Sequence, residues 1–160
     1  MNVTDINKIT KVLESMAQYE LALANLYTRC AETWKEDQVF WKGLAHAEQR
    51  HAENIQKMQE IIIRKQNSFE FGRPFNIVAL NTAMAGVNDN IKRVTEGAFS
   101  REKMFVIARD IEQSMLESRY AEIVKTTDIE YQTLMKDILS QTNEHKMMMQ
   151  EKINDIRKIS

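Results

Sequence analysis

The chain has 160 residues, a formal net charge of −1, a single cysteine and a single proline. This length suits one domain, 1–160, with a core large enough to fold by itself. The dispersed Lys and Arg argue against nucleic acid and against an anionic membrane surface as partners. No apolar run approaches the roughly 20 residues that span a bilayer, and the N-terminus lacks a signal peptide's apolar core, so we predict a cytoplasmic protein.

The first predicted helix begins near Thr4 or Asp5, either of which can cap it. Few glycines and prolines, with abundant Glu, Lys, Gln, Met, Ala and Leu, favour an all-α protein. Apolar residues recur at steps of three and four, which assigns them to the inward face. Glu20 is the only side chain charged at neutral pH in that seam, which reads Ile6, Ile9, Leu13, Met16, Glu20, Leu23, Tyr27, Cys30, Trp34.

A second helix follows the polar break 35–37, with Asp37 as its predicted N-cap, and extends to about Gln66. The short connection predicts an antiparallel hairpin. Glu48 and His51 interrupt this helix's inward seam, and an unpaired buried carboxylate costs several kcal/mol or more. A Glu-x-x-His pair places an oxygen and a nitrogen ligand about one turn apart on one face. The pair therefore indicates a metal site.

Residues 67–99 form a long crossover in which Pro74 is predicted to lie in the first turn of a lesser helix. This helix is expected to run to about Val94, with Gly97 closing it. Its apolar stretch is expected to cover the outside of the bundle or a subunit interface, which predicts a homodimer.

Ser100 is predicted to cap a third main helix in which Glu112 again breaks an apolar seam. The inward residues of that helix are Phe105, Ala108, Glu112, Met115 and Ile123. Thr127 and Glu130 fit a capping box that opens a fourth helix. His145 is the titratable residue of the fourth seam, which reads Leu134, Ile138, Thr142, His145, Met149, Ile153, Ile156.

Counted outward from each hairpin turn, the polar seam residues fall at one depth, roughly 20–27 Å along the bundle at about 1.5 Å per residue. Three carboxylates and two imidazoles inside a helix bundle are a ligand set suited to paired iron or manganese ions. The candidate metal ligands are Glu20, Glu48, His51, Glu112 and His145.

These residues, on two hairpins with a long crossover, resemble the ferritin-like diiron carboxylate proteins, and most closely the small rubrerythrin-like members. The resemblance implies a ferritin-like four-helix bundle of two antiparallel hairpins with a long, partly helical crossover. In that family each hairpin supplies one Glu and one Glu-x-x-His. This sequence departs from the pattern at Thr142, where the second Glu-x-x-His has its Glu, and at Met115, where rubrerythrins have an extra Glu. With one cysteine, it has no four-cysteine rubredoxin domain.

The resemblance implies a non-haem diiron oxidoreductase that reacts with peroxide or dioxygen and receives electrons from an unknown donor. Glu20, Glu48 and His51 would hold one iron, and Glu112 and His145 the other. Glu48 and Glu112 would bridge the two halves. Manganese and zinc are the alternative metals.

The alternative function is a degenerate ferritin-like bundle, with one metal or none, that serves as a non-enzymatic interaction or regulatory module. Two residues favour it: Thr142 lacks a carboxylate, and Arg119, seven residues after Glu112, would offset a missing metal if it faced inward and paired with Glu112. A nonspecific iron store is a third, less favoured alternative. His46 and Glu117 lie off the inward faces and are expected at the surface.

Overall fold

In a computed structural model, which describes residues 1–159, helices account for most of the chain. The five α-helices are α1 (Val3–Thr33), α2 (Gln38–Arg64), α3 (Ile77–Thr95), α4 (Arg101–Glu117) and α5 (Ile129–Ile159). Two three-residue strands, β1 (Phe69–Phe71) and β2 (Val124–Thr126), form one antiparallel pair. Single 3₁₀ turns lie at Lys35–Asp37, Gln66–Ser68 and Tyr120–Glu122. The all-α prediction is confirmed.

Side-chain caps and a glycine explain where several helices begin and end. The Asn2 side chain accepts a hydrogen bond from the backbone N–H of Asp5, so α1 begins slightly before the predicted cap. Asn76 caps α3 in the same way, which places Pro74 before the helix instead of in its first turn. Ser100 caps α4, as predicted. Gly97, at a φ of +73°, follows the end of α3 and supplies the left-handed residue common there.

The second hairpin differs from the prediction. α4 ends at Glu117, shortly before Arg119, whose φ of +61° is incompatible with a continued helix. Ile123 is buried but lies outside the helix, just before β2. The cap of α5 is Asp128, whose side chain accepts from Tyr131 N, and not Thr127. The partner of β2 lies some 55 residues earlier in the chain, so local periodicity carried no sign of this strand.

The helices form two packed pairs, α1 with α2 and α4 with α5, while α2 also contacts α5 and α3 packs on α1. At one end of the bundle Asp37 binds Arg101, which opens α4. Asp37 was predicted as an N-cap, but its side chain makes this ion pair and no capping bond. At the other end Lys65 binds Asp128, which precedes α5. The two hairpin turns therefore lie at opposite ends, and the crossover spans the length of the bundle.

The predicted inward positions of α1, α2 and α5 fill the core, apart from a few half-buried residues near helix ends. Cys30 is buried, while His46 and Glu117 are exposed, as predicted. No helix within residues 1–159 is long and apolar enough to cross a membrane. The polar side chains buried in the described part of the chain are Glu20, Asp37, Glu48, His51, Glu112, Thr142 and His145.

Candidate metal centre

All of the predicted ligands converge in the middle of the bundle. Glu48 and Glu112 each lie about 11 residues, or about 16 Å, from the end where Asp37 meets Arg101. Each of the five is at most 6% exposed. Their donor atoms form two groups, with all donors in a group within 4.8 Å of one another. The groups are Glu20, Glu48 and His51, and Glu48, Glu112 and His145.

Glu48 is common to both groups and lies between the two imidazoles. Its Oε2 is 3.1 Å from Nδ1 of His51, and its Oε1 is 3.0 Å from Nδ1 of His145. The ring centroids of the two histidines are 5.9 Å apart. Each carboxylate oxygen of Glu48 thus faces a different histidine, which is the placement expected of a carboxylate that joins two ligand sets.

Glu20 and Glu112 lie on the outer sides of this arrangement. Oε2 of Glu20 is 3.8 Å from Nδ1 of His51, and Oε1 of Glu112 is 3.8 Å from Nδ1 of His145. The Oε2 atoms of both carboxylates are buried and find no hydrogen-bond partner within residues 1–159. Buried polar atoms are normally paired, so these two oxygens are donors available to a cation.

Two further side chains hold the ligands from outside. Gln141 Oε1 lies 2.7 Å from Nε2 of His51, and the Tyr27 hydroxyl donates a 2.7 Å hydrogen bond to Glu112 Oε1. Such outer partners orient metal ligands and fix the imidazole tautomer. Sequence reasoning assigned Tyr27 to the apolar seam and did not single out Gln141. The signal for Tyr27 was its spacing of seven residues, two turns, from Glu20 on the same face.

The carboxylates differ in their electrostatics. Burial raises the pKa of Glu20, and the adjacent Glu48 charge raises it further. Burial, reinforced by Glu48, raises the pKa of Glu112 to about 7. Burial acts in the same direction on Glu48, but hydrogen bonds with Glu20, His145 and His51 outweigh it and lower the pKa of Glu48. Of the three carboxylates, Glu48 is therefore the most readily ionised.

The imidazoles respond to these carboxylates. Burial lowers the pKa of His51, but Glu20 and Glu48 outweigh it and raise the value to about 11. Glu112 and Glu48 likewise outweigh burial and raise the pKa of His145 to about 9. In the metal-free protein at neutral pH, protons on both histidines therefore balance negative charge that a metal would otherwise balance.

Of the two residues that favoured the alternative function, Thr142 is buried and Arg119 is exposed. Thr142 is buried near His145, and its hydroxyl donates a 2.8 Å hydrogen bond to the Ile138 carbonyl of its own helix. The structure does not bring Arg119 to Glu112, so the pairing that would favour the alternative function is not formed. The Arg119 side chain is 58% exposed and pairs with Glu122, because α4 ends at Glu117 and the left-handed backbone of Arg119 breaks the helical periodicity that would place it inward.

Searches against family models, curated proteins and solved structures find no match to this chain. The resemblance to diiron carboxylate proteins thus depends on its residues and their placement.

Proposed function

We propose that the protein is a ferritin-like, rubrerythrin-like oxidoreductase whose bundle holds a dinuclear iron centre that reacts with peroxide or dioxygen. The observation that carries this proposal is the pair of buried ligand groups that share Glu48. Two hairpins with turns at opposite ends and a crossover along the bundle fit the same class.

The donor chemistry fits iron or manganese, and also admits zinc. Carboxylate oxygens suit hard cations, and imidazole nitrogen suits iron and zinc. Glu20 and His51 would hold one ion and Glu112 and His145 the other, with Glu48 shared. The unpartnered oxygens of Glu20 and Glu112 are the donors that such ions would satisfy.

Iron held here would supply electrons to the oxidant and polarise its oxygen atoms. The chain's own contributions are positional and electrostatic. Tyr27 steadies the Glu112 carboxylate by donating a hydrogen bond to it, and Gln141 accepts one from His51. The near-complete burial of Glu20, Glu48 and Glu112 excludes water, which strengthens each charge interaction at the site.

A second candidate function is the non-enzymatic bundle with one metal or none. The observation that favours it is Thr142, whose hydroxyl bonds its own helix and leaves the Glu112 and His145 side one carboxylate short. The hydrogen bonds of Glu48 to both histidines also satisfy much of the cluster without metal.

Metal content separates the two functions. We would express the protein in iron-supplemented medium and compare it with a Glu48→Ala, His51→Ala variant by inductively coupled plasma mass spectrometry. Glu53→Gln, an exposed carboxylate on the same helix, is the matched control. The diiron proposal expects about two irons per chain, retained in the control and lost in the double variant.

The isosteric Glu48→Gln variant covers the case in which the double variant fails to fold. Iron below about a tenth per chain in the unmodified protein, unchanged after anaerobic reconstitution with ferrous ion, would contradict the proposal and favour the metal-free bundle. Stopped-flow absorbance of the reduced, iron-loaded protein mixed with hydrogen peroxide then tests the reactivity itself.

A further inference from the structure

A crevice runs along the outside of the bundle between α3 and α4. It consists of two adjoining cavities of about 230 and 370 Å³, which share Tyr19, Ala83 and Ser114 in their linings. Ala83 lies on the α3 side and Ser114 on the α4 side, while Tyr19 belongs to α1. At Gly86, in the larger cavity, an added Cβ would meet no atom within 4 Å, so this part of the crevice is open.

The crevice lies beside the two helices that carry the unpartnered carboxylate oxygens. Tyr19 directly precedes Glu20 on α1, and Met115, in the smaller cavity, lies one turn after Glu112 on α4. At 100° per residue, Met115 is only about 60° around the helix from Glu112. The Oε2 atoms without hydrogen-bond partners belong to Glu20 and Glu112, so both of these ligands lie on helices that also line the crevice.

Tyr19 lines the crevice and directly precedes the ligand Glu20 on α1. Its side chain is buried, and it is common to both cavities. Burial and Tyr120 raise the pKa of Tyr19, and the charges of Glu20 and Glu112 add to the shift. Tyr19 thus lines the crevice and lies within range of the charges of Glu20 and Glu112.

The charge of the lining restricts what can enter. Asp110 and Glu117 are its charged side chains, and no Lys or Arg of the described chain contributes to either cavity. Such a lining disfavours anions and admits small neutral molecules.

From these contacts we infer that the crevice between α3 and α4 is the entrance for a small neutral oxidant such as hydrogen peroxide, with Tyr19 as the gate to the metal centre. The inference depends on the proposed function for its substrate, but the route itself can be tested without a metal. It assigns Tyr19 a role in substrate access and size selection, while the ligands remain those described above.

The first test narrows the crevice. Ala83 is exposed, and Ala83→Trp would fill the region common to both cavities without disturbing the core. Ala85→Trp adds the same side chain to an exposed position of the same helix that lines neither cavity. We expect Ala83→Trp to slow the reaction of hydrogen peroxide with the reduced, iron-loaded protein about tenfold, at unchanged iron content, while Ala85→Trp leaves it unaltered. Equal rates in the two variants would overturn the inference.

The second test uses metal-free protein, so its outcome is independent of the proposed function. Hydrogen peroxide transfers one oxygen atom to the thioether of methionine and leaves as water, giving the sulfoxide. Met115 lines the crevice and Met104 does not, although both are buried. We expect peptide mass spectrometry to show faster oxidation of Met115 than of Met104, slowed by Ala83→Trp and not by Ala85→Trp.

Oxidation of Met115 at the Met104 rate, or equal effects of the two tryptophans, would reject the entrance even if the protein binds iron. Crevice-dependent oxidation of Met115 in a protein that binds no iron would support the route while rejecting the diiron function. A third variant tests the gate. Tyr19→Ala should raise the rate with tert-butyl hydroperoxide more than the rate with hydrogen peroxide, and an equal change for both peroxides would exclude a gating role.

Discussion

His51 and Gln141 are joined by a 2.7 Å hydrogen bond between Nε2 of the imidazole and Oε1 of the amide, across 90 residues of sequence. Because an amide oxygen can only accept, this contact assigns the Nε2 hydrogen to the donor role. Nδ1 of His51 then faces Glu48 and Glu20, as a metal-binding nitrogen would. One residue of α5 thus sets the orientation of a ligand on α2.

Replacing Gln141 with leucine should lower metal affinity about 10- to 100-fold, because the imidazole loses the acceptor that orients it. Gln141→Glu keeps an acceptor oxygen and should retain most of the affinity. Calorimetric titration of each metal-free variant with manganese(II) measures these affinities. Gln150→Leu, on the same helix but bonded to Arg109 and Asn154, is the control, and equal losses in the two leucine variants would contradict the orienting role.

The stability of the metal-free protein should fall as pH rises, while the stabilisation added by a metal should grow. The folded-state pKa of Glu112 is raised to about 7 and that of His145 to about 9. A group whose pKa is higher in the folded than in the unfolded protein makes its full contribution to stability below its unfolded-state pKa. This contribution is lost as the pH rises through the folded-state pKa. The metal-free protein should therefore become less stable between pH 5 and pH 9, where these two windows lie.

A metal replaces those protons, so its binding should strengthen over the same range. We expect the gain in melting temperature on adding manganese(II), measured by scanning calorimetry, to be larger at pH 8 than at pH 6. The Glu48→Ala, His51→Ala variant should show no such gain at either pH. A gain that shrinks with rising pH would mean that metal binding does not displace protons from this cluster.

Periodicity alone located the candidate ligands, because a buried helix face repeats every three to four residues and Glu20, Glu48 and Glu112 interrupt it visibly. The same reasoning predicted that α4 extends to Ile123, whereas it ends at Glu117. The pairing of β2 with β1 joins residues some 55 positions apart, which periodicity does not encode. Gln141 was missed for a related reason: it lies beside the seam and gains its role only through His51 on another helix.

One ion pair, at the end of the bundle where α2 and α4 begin, should contribute measurably to the free energy of unfolding. Asp37 is only 2% exposed and binds Arg101 through two hydrogen bonds, with Lys152 Nζ at 3.7 Å. Arg101→Met would leave this buried carboxylate with a single distant cation. We expect a loss of about 1.5–3 kcal/mol in the free energy of unfolding by urea denaturation, the range for hydrogen bonds to charged groups.

Arg93→Met is the control for that change, because it removes an exposed pair with Asp89 on one helix. Such pairs contribute about 0.3–0.5 kcal/mol. Similar losses in the two variants would show that Asp37 reaches solvent or another partner once Arg101 is gone.

Thr142 is the position at which one substitution can complete the second ligand group. It is buried three residues before His145, the spacing that separates Glu48 from His51, and its hydroxyl is used within its own helix. Thr142→Glu would create a second Glu-x-x-His and add negative charge beside Glu112. In the metal-free protein this charge has no partner, so the melting temperature should fall.

The Thr142→Glu variant should bind metal more tightly than the unmodified protein. We expect the second manganese(II) to bind about tenfold more tightly or better, since a carboxylate replaces a hydroxyl that supplies no ligand. Thr133→Glu, an exposed position on the same helix, should change neither affinity nor melting temperature. A folded Thr142→Glu protein that binds no more metal than the unmodified chain would mean that Glu112 and His145 do not form half of a metal centre.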